Sequence, residues 1–420
     1  MMVFNINSVI SRIAVGSLAF VILAFAVFGA KWNFANSVST RVDTKEIADI
    51  AVSLGPDDPQ TRYAAAVLHE KTFDPNDLAH SLSEFEAAVA NSPNNYLSWL
   101  ALGGALGRSG DNIGAESALR KALELAPNYA DVQWAYGNSL VRNNKSSEGF
   151  AQIGKSAAGK SQYLVPAVIT AIAQVDGDDE RVRNAIGDSP AINAALANYL
   201  VSTGKFAEGV SSWERIPIAE RTTMFKEDAT RLINSLVIAK QFRFAAQISR
   251  DIAPAIAKNV GEITDGSFEN GVKIKDASFF EWKIADGSEP QIAISNSQQK
   301  SGVNSLTLAF DAKQTKDFRN VTQNVPVEPG SGYTFTSYYR SELKATNTLR
   351  WEIVDIVDGK ILGKTDAFAA NADWTKLEVR FTTPVTIDAI VIRLVRADCA
   401  SAICPIAGRL WIDDLSLAKY

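Results

Sequence analysis

Histidine and cysteine are nearly missing from this 420-residue chain, which has two of each: His69, His80, Cys399 and Cys404. Two imidazoles are too few for a His-rich metal site, and a Ser-His-Asp triad is disfavoured on the same count. Both histidines fall where helices are expected, so packing or surface roles are anticipated for them. An excess of positive charge is lacking as well. Lys and Arg number 42 against 47 Asp and Glu, a formal net charge of -5, which gives no electrostatic case for a nucleic-acid partner. Phosphate-binding glycine loops, a kinase signature set and a nucleophile elbow are all missing. Carboxylates are plentiful, but a glycosidase needs two of them facing across a cleft. The chain is therefore expected to be no enzyme and to require no cofactor.

What is present is length and pattern. A chain of 420 residues is too long for one small core, so two or three domains are expected. Ile13 to Ala30 reads IAVGSLAFVILAFAVFGA without a charge, between Arg12 and Lys31. As a helix it is about 27 Å long, near the lower limit for spanning a bilayer. Two readings compete: a retained signal anchor, or a signal peptide cut near Ala24-Phe25-Ala26 or Val27-Phe28-Gly29. The anchor is favoured because the apolar run continues through both cut sites. It implies a single-pass protein, of bacterial inner-membrane type, with the bulk of the chain periplasmic. Residues 32–61 read as a polar linker, with a short helix near Thr44–Ala51, that holds the next domain off the membrane.

From Pro93 to Pro127, thirty-four residues on, two helical patterns flank Arg108-Ser109-Gly110-Asp111-Asn112. The first places Trp99, Leu102, Gly103 and Leu106 on one face; the second places Ala115, Leu119 and Ala122. Small residues at Gly103, Ala115 and Ala122 permit close packing. One period back, Leu68, Phe85 and Ala88 fall at equivalent positions; one period forward, Gly137 matches Gly103. The Trp, Leu-Gly, paired Ala and closing Pro resemble the tetratricopeptide repeat. That resemblance implies an all-α solenoid over residues 62–258, with a concave surface for a protein partner. The pairs 191–201 with 206–215 and 229–239 with 244–252 extend it in degenerate form. One subclass of these repeats grips C-terminal carboxylates with Lys and Asn from successive first helices. Leu100 and Gly104 stand at two such positions and Asn138 at a third, so that clamp is not expected.

Near Asn259 the spacing changes to short alternating runs rich in Val, Ile, Thr and aromatics. Strands are expected at Ser278–Lys283, Ser305–Phe310, Val321–Val327, Tyr333–Arg340, Leu349–Ile356, Thr375–Phe381, Ala389–Val395 and Leu410–Leu417. Such a series makes an all-β jelly-roll sandwich over residues 259–420. Alternation puts Leu349, Trp351 and Ile353 in the core and Arg350 and Glu352 outside. It likewise sets Tyr338 and Arg340 opposite Phe335 and Tyr339. Tyr338, Arg340, Arg350 and Glu352 are the expected ligand face. Cys399 and Cys404 lack further Cys or His nearby for a metal site, and export favours a disulfide between them.

Asp265-Gly266-Ser267-Phe268-Glu269-Asn270-Gly271 opens this region and Trp411-Ile412-Asp413-Asp414-Leu415-Ser416-Leu417 closes it. Between them lie Phe280-Glu281-Trp282, Ser301-Gly302-Val303-Asn304-Ser305-Leu306, Val327-Glu328-Pro329-Gly330 and Trp374. This order resembles the carbohydrate-binding modules of the family 4/9 type. The resemblance implies a jelly roll that binds polysaccharide. It also implies a structural calcium ion near Glu269 and one of Asp413 or Asp414; the competing reading is that these acids only cap turns. The whole reads as a membrane-anchored, non-catalytic scaffold in exopolysaccharide or cell-envelope glycan assembly and export. The rival is a structural assembly protein whose jelly roll binds protein and not sugar.

Overall fold

The computed structural model describes residues 9–72, 74–175, 177–253, 259–273, 276–311, 318–345, 347–398 and 404–420. They fall into two compact units, Met1–Ile192 and Asn193–Tyr420.

The first unit opens with α1 (Val9–Ser39), long and apolar enough to cross a membrane and bare along its apolar stretch. Its 31 residues span about 46 Å, so the helix outruns a hydrocarbon core of about 30 Å. The excess is docked. Ala35 and Ser39 are buried, and Asn36 Nδ2 donates to Asp58 Oδ2 at 3.0 Å. α2 (Lys45–Leu54) packs Ala48 against Ala65 and Leu68 of α3 (Pro59–Glu70). Residues 32–61 therefore form no polar spacer: they continue one helix, add another, and lie on the first repeat.

Three hairpins follow: α3 with α4 (Pro75–Asn91), α5 (Tyr96–Ser109) with α6 (Asn112–Leu125), and α7 (Ala130–Arg142) with α8 (Ser146–Gly159). Their starts are written locally. Asp58, Asp74, Asn95 and Asp111 each accept from a backbone N–H of the first turn, and Pro59 and Pro75 take positions that need no donor. Glycines set the helix spacing inside the hairpins. A Cβ on Gly137 would stand 2.8 Å from the Gly149 carbonyl oxygen, and one on Gly149 would stand 2.7 Å from that of Gly137. The α7–α8 pair thus meets backbone to backbone, which explains why α8 needs few large apolar residues. α9 (Leu164–Gln174) and α10 (Asp179–Ile186) pack on α8.

The remaining helices are α11 (Pro190–Ser202), α12 (Phe206–Glu214), α13 (Ile218–Arg221), α14 (Lys226–Ile238) and α15 (Phe242–Ile252). Within the second unit α15 is capped by the sandwich itself. The backbone N–H groups of Phe242 and Arg243 donate to the Asp388 carboxylate at 3.3 and 2.9 Å. The Phe242 ring stacks on Phe279 with centroids 5.6 Å apart.

The sandwich has ten described strands: β1 (Lys283–Ile284), β2 (Gln291–Ser295), β3 (Ser305–Asp311), β4 (Val321–Pro326), β5 (Gly332–Ala345), β6 (Leu349–Asp355), β7 (Ile361–Lys364), β8 (Asn371–Thr382), β9 (Ala389–Arg396) and β10 (Ile406–Lys419). They pair antiparallel in two sheets, β1-β4-β9-β6-β7 and β2-β3-β10-β5-β8. Between the sheets lie Phe268, Leu308, Phe335, Trp351, Ile392 and Leu410. Trp351 places its indole N–H 3.2 Å from Ser337 Oγ, which satisfies a polar atom deep in an apolar layer. The order expected from sequence holds: one apolar helix, all-α repeats, then an all-β sandwich. The strand expected at Ser278–Lys283 forms only from Lys283, as β1. Residues 278–282 make a loop that buries Phe280 and Trp282, fixed by Asn324 Nδ2 donating to the Phe279 carbonyl at 2.9 Å. The unexpected strands β2 and β7 are edge strands, short and half-exposed, with little alternation to reveal them.

Candidate functional site

The expected ligand face divides. Tyr338 and Arg340 lie on β5, and Arg350 and Glu352 lie on β6, in different sheets. The neighbours Phe335, Tyr339, Trp351 and Ile353 point into the shared core, so these four point outward on opposite sides of the sandwich. They cannot touch one ligand together.

On the β6 side Glu352 is buried beneath two guanidinium groups. Arg350 Nη2 lies 2.8 Å from Glu352 Oε1, and Arg393 Nη2 lies 2.7 Å from Oε2. Arg350 reaches on to Asp398 at 2.9 Å. These groups satisfy one another, and this cluster has no aromatic ring in it.

The β5 side differs. Cross-strand register sets Arg340, Trp411 and Thr307 in one row over β5, β10 and β3. Trp411 is buried although it faces away from the core, because residues 296–304 cross over it, and its indole N–H donates to Ser297 Oγ at 3.1 Å. On each side of that ring sits a buried polar atom with no hydrogen-bond partner, Arg340 Nε and Thr307 Oγ1. Buried polar atoms are paired in the great majority of cases, so these two covered atoms are exceptions, set in the row beneath residues 296–304. Arg340 Nη1 is anchored by Asp373 at 2.8 Å. Two residue pairs along the ladder, on the same face, Tyr338 lies opposite Asp413, with Lys300 Nζ 5.3 Å above its ring.

The acids named for calcium grip the covering loop. Glu269 accepts from the N–H groups of Val303 at 2.8 Å and Asn304 at 3.1 Å, and from Asn304 Nδ2 at 3.3 Å. Those bonds hold its carboxyl below the usual range. Asp413 is fully buried and accepts from Lys300 N, Ser301 N and Asp414 N at 2.8, 3.1 and 2.7 Å. Burial pushes its pKa up, against the pull of those amides. Asp414 takes Ser301 Oγ at 2.6 Å from a left-handed conformation, φ 49°, in the bulge between Asp413 and Ser416. A carboxylate offers about four acceptor sites. Glu269 and Asp413 each use three on these donors, so both acids make the local hydrogen bonds of the competing reading, and each keeps a lone-pair site of the hard oxygen type that calcium takes. Cys404 is disulfide-bonded, and Cys399, the other half of the expected bridge, lies outside the described residues.

In the first unit a cleft of about 350 Å³ opens along α5 and α7, lined by Gly104, Gly107, Arg108, Trp134, Asn138 and Arg142. Asn138, the residue suited to a carboxylate grip, spends its Nδ2 on the Trp134 carbonyl at 2.8 Å. Arg108 is turned to Glu70 by Nε at 2.9 Å. Trp134 stacks on Tyr163 with centroids 4.9 Å apart. Sequence reasoning missed one further grouping. The two histidines come together beside Asp49.

A sandwich of this strand order, following helical hairpins in the chain, is the class defined so far, and the comparisons sharpen it. Residues 261–399 match the family model CBM_4_9, described as a carbohydrate binding domain. Among curated proteins, the tRNA(Glu)-specific nuclease WapA of Bacillus subtilis subsp. natto (strain BEST195) is 26% identical over 200 residues, 44% of this chain. The chain spans only 8% of that protein. Among solved structures, a CBM4 module is 15% identical with a TM-score of 0.29, covering 38% of this chain and 99% of its own. TTC0263, a thermophilic TPR protein of Thermus thermophilus, is 19% identical with a TM-score of 0.26, covering 46% and 89%.

Proposed function

We propose that this chain is a membrane-anchored scaffold without catalytic activity. Its helical repeats hold a protein partner, and its sandwich binds a polysaccharide during assembly or export of an exopolysaccharide or other envelope glycan. The match of residues 261–399 to a carbohydrate binding domain carries the reading. α1 supplies the anchor, and the cleft along α5 and α7 supplies a surface for the partner. For the sugar, the β5 side is favoured over the β6 side. It offers a half-buried aromatic at Tyr338 beside the partly exposed guanidinium of Arg340; sugars take apolar stacking together with directed hydrogen bonds. Arg350 and Glu352 are assigned to holding the opposite sheet. The test is polysaccharide retention by the full chain in detergent. Tyr338→Ala and Arg340→Ala should each weaken it at least tenfold, and Arg350→Ala should leave it intact. Loss with Arg350→Ala alone would move the site to the other sheet.

The rival reading, a structural assembly protein, draws support from the ion-paired surface of β6, where Glu352 is locked between Arg350 and Arg393. It predicts no retention of any polysaccharide, with a protein captured through the sandwich instead.

A further inference from the structure

We propose that Asp49, His69 and His80 bind a divalent first-row transition cation, zinc by donor chemistry, that ties α2, α3 and α4 together. Each ligand comes from a different helix, Asp49 from α2, His69 from α3 and His80 from α4. The chain has only these two histidines, and the fold sets their rings 4.4 Å apart, edge to face. One donor atom from each of the three residues lies within 4.8 Å of the others. His69 Nε2 is 2.8 Å from Asp49 Oδ1, and His80 Nε2 is 3.8 Å from that same oxygen. Ligands about 2.0–2.2 Å from a tetrahedral zinc ion stand roughly 3.3 Å from one another. The measured separations straddle that value, so small side-chain rotations admit the ion.

The surroundings are arranged as a metal-binding imidazole requires. The other ring nitrogen of His69, Nδ1, faces Asp77 Oδ1 at 3.1 Å. Asp77 is itself held by Lys45 Nζ at 2.6 Å and Thr72 Oγ1 at 2.7 Å. A fixed carboxylate accepts the hydrogen bond from Nδ1, so a bound ion need displace only the proton that Nε2 shares with Asp49. Such outer partners set the tautomer and raise the basicity of metal-bound histidine. Glu84 also approaches His80 Nε2, at 3.7 Å, but its carboxylate is spent on Arg62 at 2.9 and 2.8 Å. His69 is buried, while the side chains of His80 and Asp49 are 48% and 46% exposed. The ion can therefore enter from solvent, and water completes its shell. Two imidazoles and one carboxylate suit zinc, cobalt or nickel; calcium and magnesium demand more oxygen. The counting of histidines, which argued against a His-rich site, overlooked that two imidazoles and one acid are enough.

The experiment uses the full chain in detergent, untagged and stripped with a chelator, titrated with zinc chloride by calorimetry at pH 7.5. The expected result is one zinc ion per chain, with cobalt giving visible ligand-field bands and calcium failing to compete. His80→Ala and Asp49→Asn alter exposed side chains, so their folding is readily confirmed by circular dichroism. Each should weaken zinc at least tenfold and abolish the rise in melting temperature that zinc gives the parent. Absence of stoichiometric zinc binding overturns the proposal and leaves His69 as a plain bridge between Asp49 and Asp77. Zinc binding that survives both substitutions overturns it equally, because the ion then sits elsewhere.

Discussion

Gly137→Ala and Gly104→Ala are the same chemical change in the interiors of two equivalent helices, and the structure predicts opposite signs for them. Glycine to alanine in a helix gains about 1 kcal/mol from propensity. At Gly104 the new methyl meets only the far end of Arg108, 3.2 Å from Nη1, and a guanidinium can move. The gain should survive, raising the melting temperature of the helical unit by about 2–4 °C. At Gly137 the methyl would stand 2.8 Å from the Gly149 carbonyl oxygen, 2.9 Å from Ile153 Cγ1 and 3.0 Å from the Ile153 nitrogen. Two of those neighbours are backbone, so α7 and α8 must separate. Overpacking of this kind costs about 1–3 kcal/mol. With α8 held on its other side by α10, where a Cβ on Gly154 would be 2.3 Å from the Ile186 carbonyl, the upper end applies. The net loss is then about 2 kcal/mol, or a fall of about 4–8 °C. The assay is thermal melting of the full chain followed at 222 nm. A neutral or stabilised Gly137→Ala would refute the close helix contact.

Other perturbations probe the sandwich and the repeats. Glu352→Ala leaves Arg350 and Arg393 facing each other over a buried site; denaturant melts should show about 3 kcal/mol lost, with polysaccharide retention unchanged. Calcium should raise the melting temperature of the parent sandwich and not that of Glu269→Gln, whereas identical melts in calcium and in chelator would remove the ion from the loop clasp. Acid stability follows from Glu116, depressed first by Lys145 and then by Asn143, and from Asp131, depressed first by Lys160 and then by Tyr163. Because their folded pKa values are lowered, their contribution is present above the unfolded value of about 4 and lost as pH falls through the folded values. The helical signal should therefore weaken below about pH 4, and Lys145→Met should flatten that dependence.

The helical half was legible because its information is local. Asp and Asn caps, prolines at helix starts and a thirty-four-residue step between Tyr96 and Ala130 are all written in order along the chain. Alternation likewise told which side of β5 and of β6 faces the core. It could not tell which sheet a strand joins. The short link from Ala345 to Leu349 reads like a hairpin, yet β5 pairs with β10 and β8 while β6 pairs with β9 and β7. That crossing is what separates Tyr338 and Arg340 from Arg350 and Glu352. The covered Trp411 was illegible for a related reason: a strand residue facing away from the core is expected to be wet, and only the loop from Ser297 to Ser301 makes it dry. His69 and His80 carried a faint signal, one on each side of the turn between α3 and α4, where an antiparallel hairpin can bring them level.

The central claim is that the sandwich holds polysaccharide. The measurement that tests it most directly is binding of the full chain, in detergent with calcium present, to a broad array of bacterial and plant polysaccharides. The account predicts selective binding that Tyr338→Ala and Arg340→Ala remove while the thermal melt stays unchanged. A well-folded chain that binds no polysaccharide on the array, with or without calcium, would contradict it.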